Sequence, residues 1–359
     1  MSSNTTLVQP PPPLSPTMTV STQPQPPTTT PQHCQEYQQK EKDKYTVIDL
    51  EKNDTLNREE IVIHYPDYDE EATIQAHQHD PYRTTTTSST KTGNGCFCIL
   101  TRLRRFRRKH RELLAEFMGT LILVLLVNGV SAEQILDVAN KSWFTGACGN
   151  GMAVLFAISV CGHISGAHLN PAITLIFWIF GAFPRRKVPV YMAVQMVGAF
   201  TGSAILYSII QPAINQYDGG TRVVLGDHAT ASIFATYPPV YVGIPTSIAS
   251  EVVGTALLAL LVLTTSHPTN QPFQSMQGCI IAMGVTSIIT SIGYTSGFSL
   301  NPARDIGPRV FTAVAGWGME VFTALDYYAL VPMLAPFLGA IIGGVVYSIF
   351  IDHNHDDDL

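Results

Sequence analysis

Asn170-Pro171-Ala172 opens an apolar stretch that ends near residue 183, and Asn301-Pro302-Ala303 opens a second that ends near 315. Neither reaches the ~20 residues a membrane span needs. Asn is a preferred helix N-cap, and Pro is preferred at the first helical position, where its missing N–H costs nothing. Each stretch therefore reads as a short helix that starts at its Asn. Short, Pro-interrupted hydrophobic segments at corresponding places in two halves of a chain point to a pathway or binding site at the bilayer midplane.

Working outward, the two halves correspond. Glu116-Phe117-Met118-Gly119-Thr120 lies 54 residues before Asn170, and Glu251-Val252-Val253-Gly254-Thr255 lies 50 residues before Asn301. Both read Glu-x-x-Gly-Thr. Six stretches are long and apolar enough to span: 112–132, 145–166, 188–210, 247–266, 276–295 and 328–351. Three spans per half place the copies, about 112–210 and 247–351, in opposite orientations, which is an inverted repeat. Gly198-Ala199 and Gly339-Ala340 supply small-residue packing sites in the third span of each half. The expected fold is an all-α membrane protein of six transmembrane helices plus two half-membrane helices.

Charge sets the boundaries. Of the 21 Lys and Arg in 359 residues, seven lie in 1–101, seven crowd into 102–111 and seven serve all of 112–359. A block as long as 112–351 with so few charges excludes a soluble globular domain, whose charged share is about 25%. Residues 1–101 are Pro/Thr/Gln-rich and lack apolar periodicity, so they read as a disordered arm. No apolar signal-peptide core precedes them, so the arm stays on the side where it is made. The hydroxyl tract at 84–90 reads as a solvated linker, with phosphorylation as the alternative. Segment 102–111 is a polybasic topology signal that also suits anionic lipid, at roughly 1 kcal/mol per basic residue. Nuclear targeting and nucleic-acid binding fit it less well. Cys96 and Cys98 are palmitoylation candidates. Arg185, Arg186 and Lys187, between spans two and three, fall on the same side as 102–111, which puts both ends in the cytoplasm. The tail 352–359 reads as a solvated acidic end.

Two inverted half-helices meet N-terminus to N-terminus near the bilayer centre, each bringing roughly half a positive charge. Asn170 and Asn301 cap their helices with the side-chain oxygen and offer the NH₂ to the lumen. A water or hydroxyl oxygen accepting both bonds turns its protons away from the centre, which interrupts a proton wire, and the field repels cations. Glu116 and Glu251 are expected to accept N–H groups from the non-helical backbone leading into each half-helix. Arg304 either pairs with Asp305 or stands as a lumen-facing charge. His168 reads as a packed, hydrogen-bonded side chain rather than a proton sensor.

The strings at 163–172 and 297–304, carrying Asn170-Pro171-Ala172 and Asn301-Pro302-Ala303-Arg304, resemble the two pore signatures of the major intrinsic protein family. The likeness covers 112–351. It implies an aquaglyceroporin: Asp305 follows the pore Arg, and Arg309, Pro332, Met333 and Tyr237 fit the glycerol-channel pattern. It implies a homotetramer with one pore per subunit, and a selectivity filter of Asn150, Ile289, Phe298 and Arg304. Asn150 and Ile289 depart from the usual filter. Ile289 lacks the polar group of strict water channels, and Asn150 adds polarity.

The function expected is a passive channel in the cell membrane for water, glycerol and small uncharged solutes such as urea, excluding ions and protons. No nucleotide loop, metal cluster or nucleophile constellation appears, so no enzyme activity or cofactor is expected. The rivals are a water-only channel, a non-conducting scaffold of the same fold and a cation channel. Asn140 starts the one sequon expected on the outside. Cys148, Cys161 and Cys279 lie in spans, where thiols are expected to be buried and inert, with Cys148, two residues before Asn150, as the exception to watch.

Overall fold

The computed structural model describes residues 94–137, 139, 141–181 and 183–352. Asn140, the hydroxyl tract, the rest of the arm before 94 and the tail after 352 lie outside the described residues. Among the described residues, six helices are long and apolar enough to cross a membrane. They are α2 (Arg111–Leu136), α3 (Trp143–Ser165), α5 (Val188–Asp218), α6 (Ile244–Ser266), α7 (Gln277–Ile292) and α10 (Leu330–Phe350). The two half-helices are α4 (Pro171–Ile179) and α8 (Pro302–Thr312), shorter at their ends than the apolar stretches suggest. A π-turn, Ala313–Trp317, continues α8. Short α9 (Glu320–Tyr327), interrupted at 324–326, then leads into α10.

Two boundaries differ from the sequence reading. Helix α1 (Asn94–Lys109) begins inside the segment expected to be irregular. After Gly95 the run holds no Pro or Gly, and its Arg and Leu residues are good helix formers. The last turn of α1 carries Arg107, Arg108 and Lys109, which complement the negative end of the helix dipole. At the other boundary, α5 continues through Pro212 to Asp218. An interior Pro removes only one backbone bond when the rest of the helix is packed. The helix ends where Gly219 and Gly220 take φ of 66° and 83°, left-handed conformations that glycine adopts without strain.

The repeat is visible in the packing. The most extensive helix pairs are α2 with α5 and α6 with α10, the first and third spans of each half. Glycines make both crossings. A Cβ at Gly198 or Gly202 would overlap the Phe117 or Leu121 carbonyl oxygen, and one at Gly339 or Gly343 would overlap that of Val252 or Ala256. Gly119 and Gly254, from the Glu-x-x-Gly-Thr motifs, leave the space filled by the side chains of Leu169 and Leu300, the residues just before each pore Asn.

Candidate functional site

The approach to each half-helix is built from the same backbone conformations. Gly166 and Gly297 have φ of 83° and 81°; Ala167 and Phe298 have 47° and 51°; Leu169 and Leu300 have 52° and 53°. Three left-handed residues in four are strained for non-glycine side chains and persist only where surroundings over-determine them. The determinants are buried carboxylates. Glu116 accepts from the backbone N–H of His168 (3.0 Å) and Leu169 (2.8 Å). Glu251 accepts from Ser299 and Leu300 (both 2.8 Å). Both Glu side chains are fully buried. With those N–H groups engaged, the segments offer the lumen mainly carbonyl oxygens as acceptors. Ser165 and Ser296, each five residues before the pore Asn, add a matching bond to the N–H of Ala167 and Phe298 (3.2 and 3.1 Å). That Ser–Asn spacing in both halves was a legible signal the sequence reading did not use.

The two corners touch. Asn170 Oδ1 accepts from Ala172 N–H (2.9 Å), and Asn301 Oδ1 from Ala303 N–H (3.0 Å), so both cap their helices. Their amides do not face the lumen alone, which corrects the simpler expectation. Asn170 Nδ2 donates to the Leu300 carbonyl and Asn301 Nδ2 to the Leu169 carbonyl, both at 2.8 Å. Close N-terminal approach brings each amide within reach of the other half's backbone. One N–H of each NH₂ is used across the repeat, and one is left over.

Asn170, Asn301, Asn150, Ile289, Phe298 and Arg304 all line one cavity, with the two left-handed segments on its wall. Leu123, Val127, Ile173, Leu258, Val262 and Val285 give it an apolar side. His168 also borders it, but its ring stacks on Phe177 (4.6 Å between centroids) and its Nδ1 lies 3.2 Å from Thr174 Oγ1, the packed state expected. Asn150 Nδ2 donates back to the Gly146 carbonyl in its own helix (2.8 Å).

Arg304 does not pair with Asp305. Its Nη1 donates to the Phe234 carbonyl (2.8 Å) and approaches Asn128 Oδ1 (3.4 Å). Successive residues on a helix point about 100° apart, so Asp305 faces away and meets the residue one turn on. Asp305 bridges to Arg309 (2.5 Å) and accepts from both N–H and Oγ1–H of Thr236 (2.8 and 2.6 Å). Arg309 also donates to the carbonyls of Val321 (2.6 Å) and Thr236, and it lies 4.4 Å from the Tyr237 ring centroid. Burial pushes the Tyr237 phenol up to about 12, so it stays neutral. Asp305, Arg309 and Tyr237 thus form one buried cluster that ties the 219–243 connection to α8. Pro332 sits buried at the start of α10 with Met333 beside it, apart from that set of bonds.

A family model described as "Major intrinsic protein" matches residues 103–347. The chain belongs to the major intrinsic protein family. This is a family of membrane transport channels, of aquaporin and aquaglyceroporin type, not of enzymes. The channel is 61% identical over 252 residues to "Aquaporin-2" of Rhizopus delemar, covering 70% of this chain and 80% of that one. It is 43% identical over 242 residues to "Aquaglyceroporin-2" of Rhizophagus irregularis, covering 67% and 77%. The aquaglyceroporin from Plasmodium falciparum, solved by X-ray diffraction, superposes with a TM-score of 0.60 at 27% identity, covering 67% of this chain and 96% of that one.

Sequence reasoning missed the groups that hold Arg304, namely Asn128 and the Phe234 carbonyl. It also missed the Leu169 and Leu300 carbonyls, because a backbone acceptor leaves no mark on residue identity. One thiol differs from expectation: Cys279 is exposed on the isolated chain, Cys148 is half-buried and Cys161 is buried. A membrane helix is apolar all round, so its composition does not tell an inward thiol from an outward one.

Proposed function

We propose that this channel passes water and glycerol, with urea and similar small uncharged solutes, and excludes ions and protons. The observation that carries the reading is the state of Arg304. Its neighbouring carboxylate is spent on Arg309, so a buried guanidinium keeps donors free in a wall shared with Phe298 and Ile289. The free donors suit hydroxyl oxygens, Phe298 and Ile289 suit the carbon side of a polyol, and Asn150 adds polarity. Named relatives of aquaglyceroporin type support the same reading. In this proposal Asn150, Ile289, Phe298 and Arg304 form the filter, and Asn170 and Asn301 orient the solute at the midplane.

Stopped-flow light scattering on proteoliposomes under water, glycerol and urea gradients tests this. Glycerol flux above that of protein-free liposomes is expected, and Ile289→Gly should raise it. Water flux without glycerol flux would leave a water-selective channel, and no flux at all a non-conducting scaffold.

The channel resides in the cell membrane as a homotetramer, with both termini cytoplasmic and the basic run 102–111 against anionic inner-leaflet lipid. Cys96 and Cys98, both within α1, are its palmitoylation candidates.

A further inference from the structure

We infer that Trp143, at the outer end of α3, positions Phe298 and thereby sets the width of the outer constriction. The inference rests on the filter reading above. Trp143 and Asn150 are seven residues apart on one helix, so they share a face, with Trp143 about two turns nearer the outside. The span-two filter position holds the small Asn150, whose amide is folded back onto its own helix. The aromatic ring that α3 contributes near the filter is therefore the one above it. The Trp143 ring meets Phe298 edge-on, with centroids 5.5 Å apart and planes at 84°. Its indole N–H donates to the carbonyl of Ile289 at 3.2 Å. One side chain thus holds two filter residues that come from different segments, α7 and the approach to α8.

Phe298 needs such a hold. It takes a left-handed φ of 51°, which a bulky residue adopts only under constraint. On one side lies Gly293, where a Cβ would come within 3.1 Å of the Phe298 Cβ. On another stands the Trp143 edge, and edge-to-face pairs favour a fixed geometry over free packing. Tyr294, also edge-on to Trp143 at 5.5 Å, buttresses the indole. Trp143 does not line the cavity itself. It acts through Phe298, so its effect appears in which solutes pass rather than in whether the channel conducts.

The experiment uses the full chain in proteoliposomes, normalised to reconstituted protein, with glycerol and the four-carbon polyol erythritol as probes. Trp143→Ala should raise the erythritol-to-glycerol permeability ratio by about threefold, the scale of one aromatic contact. Trp143→Phe, which keeps a ring beside Phe298, should return the ratio to near wild type. Gly293→Ala, which presses on Phe298 from the other side, should lower it. If Trp143→Ala leaves the ratio unchanged while Ile289→Gly moves it, the filter stands and the role of Trp143 is refuted. If Trp143→Ala lowers water, glycerol and erythritol fluxes in parallel, or Trp143→Phe behaves like Trp143→Ala, the role is refuted as well. If Ile289→Gly also leaves the ratio unchanged, the filter reading itself fails.

Discussion

Asp305 is fully buried one residue from a buried arginine and is committed to a different one. Removing it should strand Arg309, and an uncompensated buried charge costs about 3–5 kcal/mol. Asp305→Ala is therefore expected to lower the melting temperature and the yield of monodisperse protein, measured by fluorescence-detected gel filtration after heating. Tyr237→Phe should be tolerated, because the buried Tyr237 hydroxyl has no hydrogen-bond partner among the described residues and the ring over Arg309 is kept. A Tyr237→Phe protein as unstable as Asp305→Ala would show that the hydroxyl is satisfied after all. At this scale the side chains with a compulsory task were legible: Asn170, Asn301, Glu116 and Glu251 are polar groups inside an apolar block that only a partner justifies. The choice between Asp305 and other partners for Arg304 was not legible, because it depends on which way two adjacent helical residues point against the 219–243 connection. The two roles left open for Arg304 are separated by that geometry alone.

At the level of helices, the spans were legible from length and apolarity, and their division into two halves from the repeat; which spans pair was not. The ends were less so. Pro212 looks like a terminator in sequence, yet the two glycines after Asp218 end the helix, since packing outweighs the loss of one bond. The crossings of α2 with α5 and of α6 with α10 give a prediction symmetric in the two halves. Gly198→Ala and Gly339→Ala should each destabilise by about 1–3 kcal/mol through overpacking. Gly220→Ala serves as the control, because nothing lies within 4 Å of a Cβ there and only its left-handed backbone is strained. Thermal shift of the three variants checks this. A larger loss for Gly220→Ala than for Gly198→Ala would mean the helix crossings are looser than their geometry suggests.

Across the whole molecule, the proposed orientation puts Asn140 outside and the basic turn at 185–187 inside, where Lys187 bonds Glu112 at 2.6 Å. Expression in a glycosylating host should give at most one glycan, lost on Asn140→Gln. Asn4-Thr5-Thr6 and Asn53-Asp54-Thr55 are sequons on the N-terminal arm, and a mobility shift that survives this change and vanishes on altering Asn4 or Asn53 would invert the topology. The reciprocal bonds between Asn170 and Leu300, and between Asn301 and Leu169, also bear on how the chain is made. A ribosome delivers residue 170 long before residue 301. Until the second half arrives, the first corner holds a capped helix whose amide and neighbouring carbonyl lack their partners in a medium without water to replace them. The first half-helix therefore has no reason to sink to the midplane during synthesis. The first half-helix is expected to settle at its final depth only once the second half is present, which cysteine accessibility near residue 170 in chains truncated before residue 301 checks.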